Sequence, residues 1–585
     1  MDLSIYITGN SRLNMNQSFR ENANFIWSVA DLLRGDYKQA DYGKVILPLT
    51  VMRRLDCLLE KKKAKVLENV PKFKGKSDQV IDLALNKISG YKFHNRSKFD
   101  FAKLAADPNH IAANFRNYLN GYSQSVRDII EHFSFDDQIE RLDKADLLYQ
   151  VVKRFSEVDL SKMDNMEMGY IFEELIRKFA EVSNETAGEH FTPREVIQLM
   201  VNLLFNFDND SLTKKGVIRT LYDPTAGTGG MLSSAEAYLN NLNPDGKLLV
   251  FGQEINPESY AICKADMLIK GQDPANIKFG NTLSADGLQN EKFDYMLSNP
   301  PFGVDWKKAE KVIKEEYEKR GFNGRFGAGL PRINDGSFLF LQHMISKMKP
   351  VADGGSRIAI VFNGSPLFTG SAGSGESEIR KWIIENDMLE AIIAMPDQLF
   401  YNTGISTYIF ILNNHKEKKR KGKIQLINAV NMYIKMAKSL GNKRNEVSAE
   451  QIKVISKLYG EFKESEYVKI YPNSFFGYTR ITIERPERNS KGVIVLDKKG
   501  EIKANSVLRD YENVPLLEDI ETYFNREVLP NVPDAWVDQT KSKVGYEINF
   551  TKYFYIYKPL RSLDEIKSDI LKLEEEAVGL IKEAL

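Results

Sequence analysis

The stretch KFDYMLSNPPFG, Lys292 to Gly303, decides the reading of the chain. Phe293 to Leu297 are apolar and aromatic and read as a short buried strand. Ser298 and Asn299 end it, and two prolines follow. Neither Pro300 nor Pro301 can donate a backbone hydrogen bond, and both fix φ, so the chain leaves the sheet in a rigid, extended shape. An amide, Asn299, and a ring, Phe302, are thereby displayed at a strand's carboxyl end, where open α/β sheets bind ligands. An amide oxygen accepts from an exocyclic amino group, and a ring offers its face to a planar base. An ordinary proline-stopped strand looks the same locally, so the flanking chain has to decide.

On both sides of this stretch strands and helices alternate. Strands are predicted at 217–222, 248–253, 277–280, 356–362 and 389–395, with helices at 231–241, 258–270, 336–348 and 378–386. Two further strands, 406–412 and 423–430, are joined across the basic turn HKEKKRKGK. This pattern predicts an α/β fold: a doubly wound, mostly parallel sheet covered on both faces, with an antiparallel edge. Upstream, from Ser18 to about Phe155, apolar residues recur at helical spacing, as in Val45, Leu49, Met52, Leu55 and Leu59. The lysine-rich segment Lys61 to Lys76, with Pro71 and Gly75 inside it, reads as a solvated loop. The resulting division is a leader at 1–15, a helical domain at 16–160, the α/β domain at 161–435 and a C-terminal region at 436–585. Met15 is a possible alternative start.

At 585 residues two to four domains are expected. A net charge of +1 gives no global field for polyanions, so nucleic-acid binding would need a local groove or a partner. The two cysteines, Cys57 and Cys263, fit a reducing compartment and exclude a cysteine-rich zinc site. No apolar run reaches membrane-spanning length, and the N-terminus lacks a signal-peptide core. A cytoplasmic location without membrane contact is expected.

The first strand–helix turn of the α/β region is Asp223-Pro-Thr-Ala-Gly-Thr-Gly-Gly230. Gly227, Gly229 and Gly230 allow a ligand close to the backbone at a helix N-terminus. The turn lacks the Gly-Lys-Ser/Thr of a triphosphate loop, and the acid Asp223 suits a cationic or amine-bearing ligand. Glu254 ends the next strand, where an acid accepts from ribose hydroxyls in doubly wound sheets. Asn281 and Asp286 follow the third strand, near the expected place of an adenine, although turn chemistry also accounts for Asp286. Together these residues outline a nucleoside pocket without a phosphate loop, which suits S-adenosylmethionine. A helix is expected near Pro193 with Thr192 as its cap.

The order FTP, DPTAGTGG, GQE and NPPF resembles that of amino-group DNA methyltransferases of the adenine-N6 type. The segments NFIWSVADLLRGDYKQADYGKVILPLTVMRRLD, AGEHFTPREV and DGSFLFLQHM are similar to the modification subunit of type I restriction–modification systems, as is the tail from LRDYENVPL to YKPLRSLDEI. The resemblance spans nearly the whole chain. It implies that Asn299, Pro300, Pro301 and Phe302 form the catalytic tetrapeptide, and that Thr225, Thr228, Gly229 and Gly230 belong to the cofactor turn. It also implies that Glu254 is the ribose acid, and that Glu189, His190, Phe191, Thr192, Pro193 and Arg194 close over the cofactor's methionine part. The implied donor is S-adenosyl-L-methionine, with no metal. The implied substrate is double-stranded DNA with a flipped adenine. The implied partners are a specificity subunit, a restriction subunit and a second modification subunit.

The acid-free run from Lys319 to Asn334 is glycine-rich, and its Arg320, Arg325 and Arg332 are expected to grip phosphates as a flexible loop. Ile566, Ile570, Leu573, Ala577 and Leu580 form a coiled-coil-like seam on the last helix, suited to docking with the specificity subunit or to packing on its own domain. A stand-alone adenine methyltransferase, a silent methyltransferase fold, and a glutamine or RNA methyltransferase sharing the tetrapeptide are the alternatives.

Overall fold

β-Branched and aromatic runs bounded by turn residues build one large sheet. In the computed structural model its strands are β1 (Ile218–Asp223), β2 (Lys247–Glu254), β3 (Ile277–Phe279), β4 (Tyr295–Ser298), β5 (Arg357–Phe362), β6 (Leu389–Ala394), β7 (Tyr408–Asn413), β8 (Lys423–Asn428) and, after a hairpin of β9 (Ile434–Leu440) and β10 (Lys443–Glu446), β11 (Val468–Pro472). The structure describes residues 24–163, parts of 167–179, 192–206, 209–401, 403–555 and 562–584. The sheet order is β11-β8-β6-β7-β5-β4-β1-β2-β3. β7 runs against β5 and β6, and β11 against β8, while the other neighbours are parallel. β5 and β6 are buried along their whole length, as strands covered on both faces must be. Each isoleucine removed from water there, such as Ile392 and Ile393, contributes about 2 kcal/mol.

The chain winds outward through β1, β2 and β3, then returns to place β4 on the other side of β1. That reversal opens a crevice at the carboxyl ends of β1 and β4. Helices Gly230–Leu242 and Pro257–Ile269 follow β1 and β2, and helix Arg194–Phe205 precedes β1.

The two strands flanking the basic turn are not a hairpin. β6 lies between β7 and β8, so the antiparallel strand β7 is internal. The basic turn is partly buried: Lys416 Nζ bonds Asp387 Oδ1 at 2.6 Å and the Leu389 carbonyl at 2.7 Å. The α/β region also outlasts residue 435. β11 completes the sheet, and Tyr459 and Ile455 of helix Ala449–Glu461 join its core. Beyond it stands a three-stranded antiparallel sheet, β13-β12-β14, of β12 (Gly477–Glu484), β13 (Asp510–Pro515) and β14 (Trp536–Tyr546).

The N-terminal region is helical, as its periodicity predicts. The lysine-rich segment differs from expectation. Helix Gly43–Asn69 continues through it, and a 3-10 turn, Val70–Phe73, ends it. Lys63 is buried, with Nζ bonded to Asn95 Oδ1 at 3.0 Å and the Phe99 carbonyl at 2.9 Å. Burial lowers its pKa to about 8. A core of Leu49, Phe115, Tyr118 and their neighbours fills this region and extends to Ala261, Ile262, Ala265 and Leu268 of helix Pro257–Ile269.

Residues 549–585 form a separate unit. Its helix Leu563–Ala584 carries the seam, and Ile566, Ile570 and Leu573 on it are exposed. Leu580's side chain lies outside the described residues. Among the described residues no helix is long and apolar enough to cross a membrane.

Candidate functional site

Four strand ends meet at one cavity of about 490 Å³. β1 brings Asp223 and the glycine turn, β2 brings Gln253 and Glu254, the loop after β3 brings Gly280 and Asn281, and β4 brings Asn299 with Pro301. Their convergence follows from parallel strands ending in register beside the reversal.

The glycine turn is held by its neighbours. Gly227 has φ 54° and its N–H donates to Glu254 Oε2 at 2.8 Å. Glu254 Oε1 accepts from Asn256 N–H at 2.7 Å, so the acid is fixed by two backbone donors while it lines the cavity. Gly229, with φ 86°, turns away from the cavity. A Cβ there would come within 2.9 Å of Cys263 Sγ. Its absence of a side chain therefore serves close packing of the turn on helix Pro257–Ile269.

Asp223 is buried at the cavity wall. Its Oδ1 accepts from Thr225 N–H at 2.9 Å and lies 3.3 Å from Thr225 Oγ1. Burial pushes its pKa up to about 7; the Thr225 donor opposes that shift and the Glu254 charge adds to it. An acid in this state gains from a cation placed against it. Thr225 Oγ1 also lies 2.8 Å from Ser298 Oγ, which ties the glycine turn to the end of β4.

Asn299 is half-buried. Its Nδ2 donates to Thr192 Oγ1 at 2.9 Å. Its Oδ1 is buried and has no hydrogen-bond partner among the described residues. Pro300 is buried and Pro301 lines the cavity. Phe302 lies outside the cavity lining, half-buried, with its ring centroid 6.1 Å from that of Phe400 at 78°.

Several expected residues sit differently. Thr192 does not cap helix Arg194–Phe205: Pro193 occupies the cap position, and no side chain caps the helix. Arg194 lines a separate small cleft with Gly169 and Thr228. Glu189, His190 and Phe191 lie outside the described residues. Asn281 lines the cavity, but its Oδ1 accepts from Leu283 N–H at 2.9 Å and so also shapes the turn. Asp286 is not in the cavity. It pairs with buried Lys347 at 2.6 Å, because that lysine needs a counter-charge.

The basic run is not a free loop. Arg325 is bidentate to Glu316 and donates to the carbonyls of Thr282 and Leu283 at 2.9 Å, so it is a strut under the cavity rim. Phe326 beside it is fully buried. Arg320 and Arg332 remain exposed, and Arg332 reaches Ser365 Oγ at 3.2 Å.

Trp306 was not foreseen from sequence. It is buried, lines the cavity and donates its ring N–H to the Arg332 carbonyl at 3.0 Å. Ile197, Met231, Leu283 and Phe340 give the rest of the apolar wall. A lone tryptophan just after the tetrapeptide was the one available signal.

Comparison with known proteins fits this geometry. A family model for the N-6 DNA methylase matches residues 163–474, and one for the HsdM N-terminal domain matches residues 22–155. The chain belongs to the N-6 DNA methylase family. It is accordingly a DNA methyltransferase whose methyl donor is S-adenosyl-L-methionine. The type I restriction enzyme MjaIX methylase subunit of Methanocaldococcus jannaschii is 27% identical over 461 residues, 76% of this chain and 77% of that one. The type I restriction–modification methyltransferase subunit from Streptococcus thermophilus superposes with a TM-score of 0.61 at 22% identity, covering 78% of this chain and 97% of its own. A chain described in work on complex assembly and conformational transition of the type I R-M system has a TM-score of 0.52 at 19% identity, with 97% and 98% covered. At these identities the two structural likenesses are of fold.

Proposed function

We propose that the chain is the modification subunit of a type I restriction–modification complex and methylates the N6 amino group of an adenine flipped out of double-stranded DNA. The observation that carries this reading is Asn299: a buried amide oxygen without a donor among the described residues, at the end of β4, in a cavity shared with the glycine turn and two strand-end acids. A buried acceptor left unpaired costs about 1–3 kcal/mol, and an exocyclic amino group supplies the missing donor.

The cavity fits the methyl donor. Asp223 suits a cation, Glu254 a ribose, Asn281 the region of the adenine, and Gly227, Thr228 and Gly230 allow close approach to the turn. When bound, the donor's sulfonium supplies an electrophilic methyl group. The protein's own work concerns the target nitrogen, whose lone pair is delocalised into the ring. Asn299 Oδ1 and the Pro300 carbonyl accept its two hydrogens and favour a more tetrahedral nitrogen. The rest is positioning. Phe302 stacks on the extruded base, and doing so requires the ring to present a face not already covered by Phe400.

Target choice falls to partners. The relatives' names place them in type I restriction enzymes, and we infer a specificity subunit, a restriction subunit and a second modification subunit for this chain. The exposed seam of helix Leu563–Ala584 is the docking element in this reading. A chain ending before Leu563 should fail to co-purify with the specificity subunit; retained co-purification would remove the seam from the interface.

The decisive experiment is Asn299→Ala in the assembled complex. Methyl transfer to DNA should fall below detection while the affinity for S-adenosyl-L-methionine changes less than about threefold, since the amide acts on the acceptor base. DNA methylation at the normal rate would refute the mechanism.

A further inference from the structure

The amide of Asn299 works only in one orientation, and something must hold it there. An amide has a donor end and an acceptor end of nearly the same shape. Turned by 180°, it would present Nδ2 to an amino group, donor against donor. Neither proline that follows can donate to the amide oxygen, since neither has an N–H. The partner found for it is Thr192, whose Oγ1 accepts from Nδ2 at 2.9 Å. Thr192 comes from a different part of the chain, 107 positions away. It stands two residues before helix Arg194–Phe205 and does not cap it, so its hydroxyl is not consumed by the helix. Glu195, in the first turn of that helix, is tied to Lys443 of β10, and Lys443 Nζ also bonds the carbonyls of Leu399 and Asn445 at 3.0 Å. The segment carrying Thr192 is thus anchored to the loop that carries Phe400, the ring against Phe302.

We propose that Thr192 is the positioning residue for Asn299: by accepting from Nδ2 it holds the amide plane and leaves Oδ1 free for the target amino group. This rests on the reading of Asn299 given above. Two physical effects follow from the bond. The amide plane loses its rotational freedom before the base arrives, so no reorientation is required at the moment of reaction. Donation from Nδ2 also draws electron density toward Oδ1 through the amide, which makes it a better acceptor. The role differs from that of a cofactor contact, which is what the position of Thr192 in the FTP segment suggests by resemblance.

The test is Thr192→Val, which keeps shape and removes the hydroxyl, measured in the assembled complex under single-turnover conditions. The rate of methyl transfer should fall about 10- to 100-fold, the scale on which misplacing a reacting group acts. The dissociation constant for S-adenosyl-L-methionine should stay within about threefold. Thr192→Ser, which restores the acceptor, should recover most of the rate. Asn299→Asp supplies a second readout: a carboxylate has two equivalent acceptor oxygens and needs no orienting, so adding Thr192→Val to it should cost less than about threefold more.

An unchanged rate in Thr192→Val would overturn the proposal. So would a weakened cofactor affinity with an unchanged rate, which would make Thr192 a cofactor contact. Equal losses from Thr192→Val with and without Asn299→Asp would reduce it to a packing role. Failure of the underlying reading shows separately, as activity retained by Asn299→Ala.

Discussion

Two buried aspartates, one in each large region, carry opposite meanings. Asp56 sits in the helical domain and accepts from Arg53 at 3.0 Å, Tyr118 at 3.1 Å and the Phe101 N–H at 3.2 Å. Asp223 sits at the end of β1, and among the described residues its hydrogen bonds come from its near neighbour Thr225 alone. Burial raises the pKa of both. The first carboxylate is surrounded by a cation and two further donors, so its burial serves the fold. The second has a cavity before it and, among the described residues, no cation paired with it, so its burial is a cost that a ligand can relieve. Burial and a shifted pKa do not by themselves mark a site; the missing partner does.

Substitution should separate the two. Asp223→Asn should weaken S-adenosyl-L-methionine binding by about 100-fold, the loss of one charge-assisted contact, while raising the thermal stability of the free protein at neutral pH and above, because the buried charge is gone. Isothermal titration beside a melting curve checks both halves. Asp56→Asn should do the reverse, costing about 1–3 kcal/mol of stability with cofactor affinity unchanged. If Asp56→Asn weakened the cofactor as much as Asp223→Asn, the contrast would collapse.

The next effect is a pH dependence. A carboxyl raised to about 7 holds its proton more tightly in the folded protein than in the unfolded chain. Its ionisation therefore lowers the stability of the free protein as pH rises from the ordinary carboxylate range through 7. A cation needs the ionised form. Cofactor affinity should then be flat above pH 7 and fall about tenfold per unit below it, and Asp223→Asn should flatten that profile.

The smallest effect separates two arginines of the basic run. Arg332→Gln should lower the salt slope of DNA binding by about one. Arg325→Gln should leave the slope alone and lower stability, because its guanidinium is spent on Glu316 and two carbonyls. A salt slope changed by Arg325→Gln would restore the freely moving loop.

Why the second arginine misled is plain in the chain. The acid-free window begins at Lys319, and the acid that captures Arg325 lies just upstream, at Glu316. Strands β4 to β6 were readable because fully buried strands are mostly apolar runs, and β1 to β3, which are only partly buried, because each is a short strand-forming stretch that stops at turn residues. The strand-end residues Asp223, Glu254 and Asn299 were readable for the same reason, since their place follows from where each strand stops. β11 was not, because an edge strand reached after a hairpin and a helix has no local mark of which sheet it joins. The 61–69 lysines read as loop because charge runs normally face water, yet one of them, Lys63, turns inward. Thr192 read as a helix cap because a threonine before proline is a good start signal. Its real partner, far along the chain, has no trace in local pattern.

Helix Pro257–Ile269 sets a condition on inheritance. Its Ala261, Ile262, Ala265 and Leu268 belong to the core of the helical domain, while Tyr260, Cys263 and Met267 belong to that of the large sheet. One rod of side chains thus answers to two interiors at once. A lineage that exchanged its helical domain for another would have to re-fit this helix on one face without disturbing the other, beside the turn that rests on Cys263. The two domains are bound to descend together, and recombination between homologues should find its tolerated crossovers elsewhere in the gene.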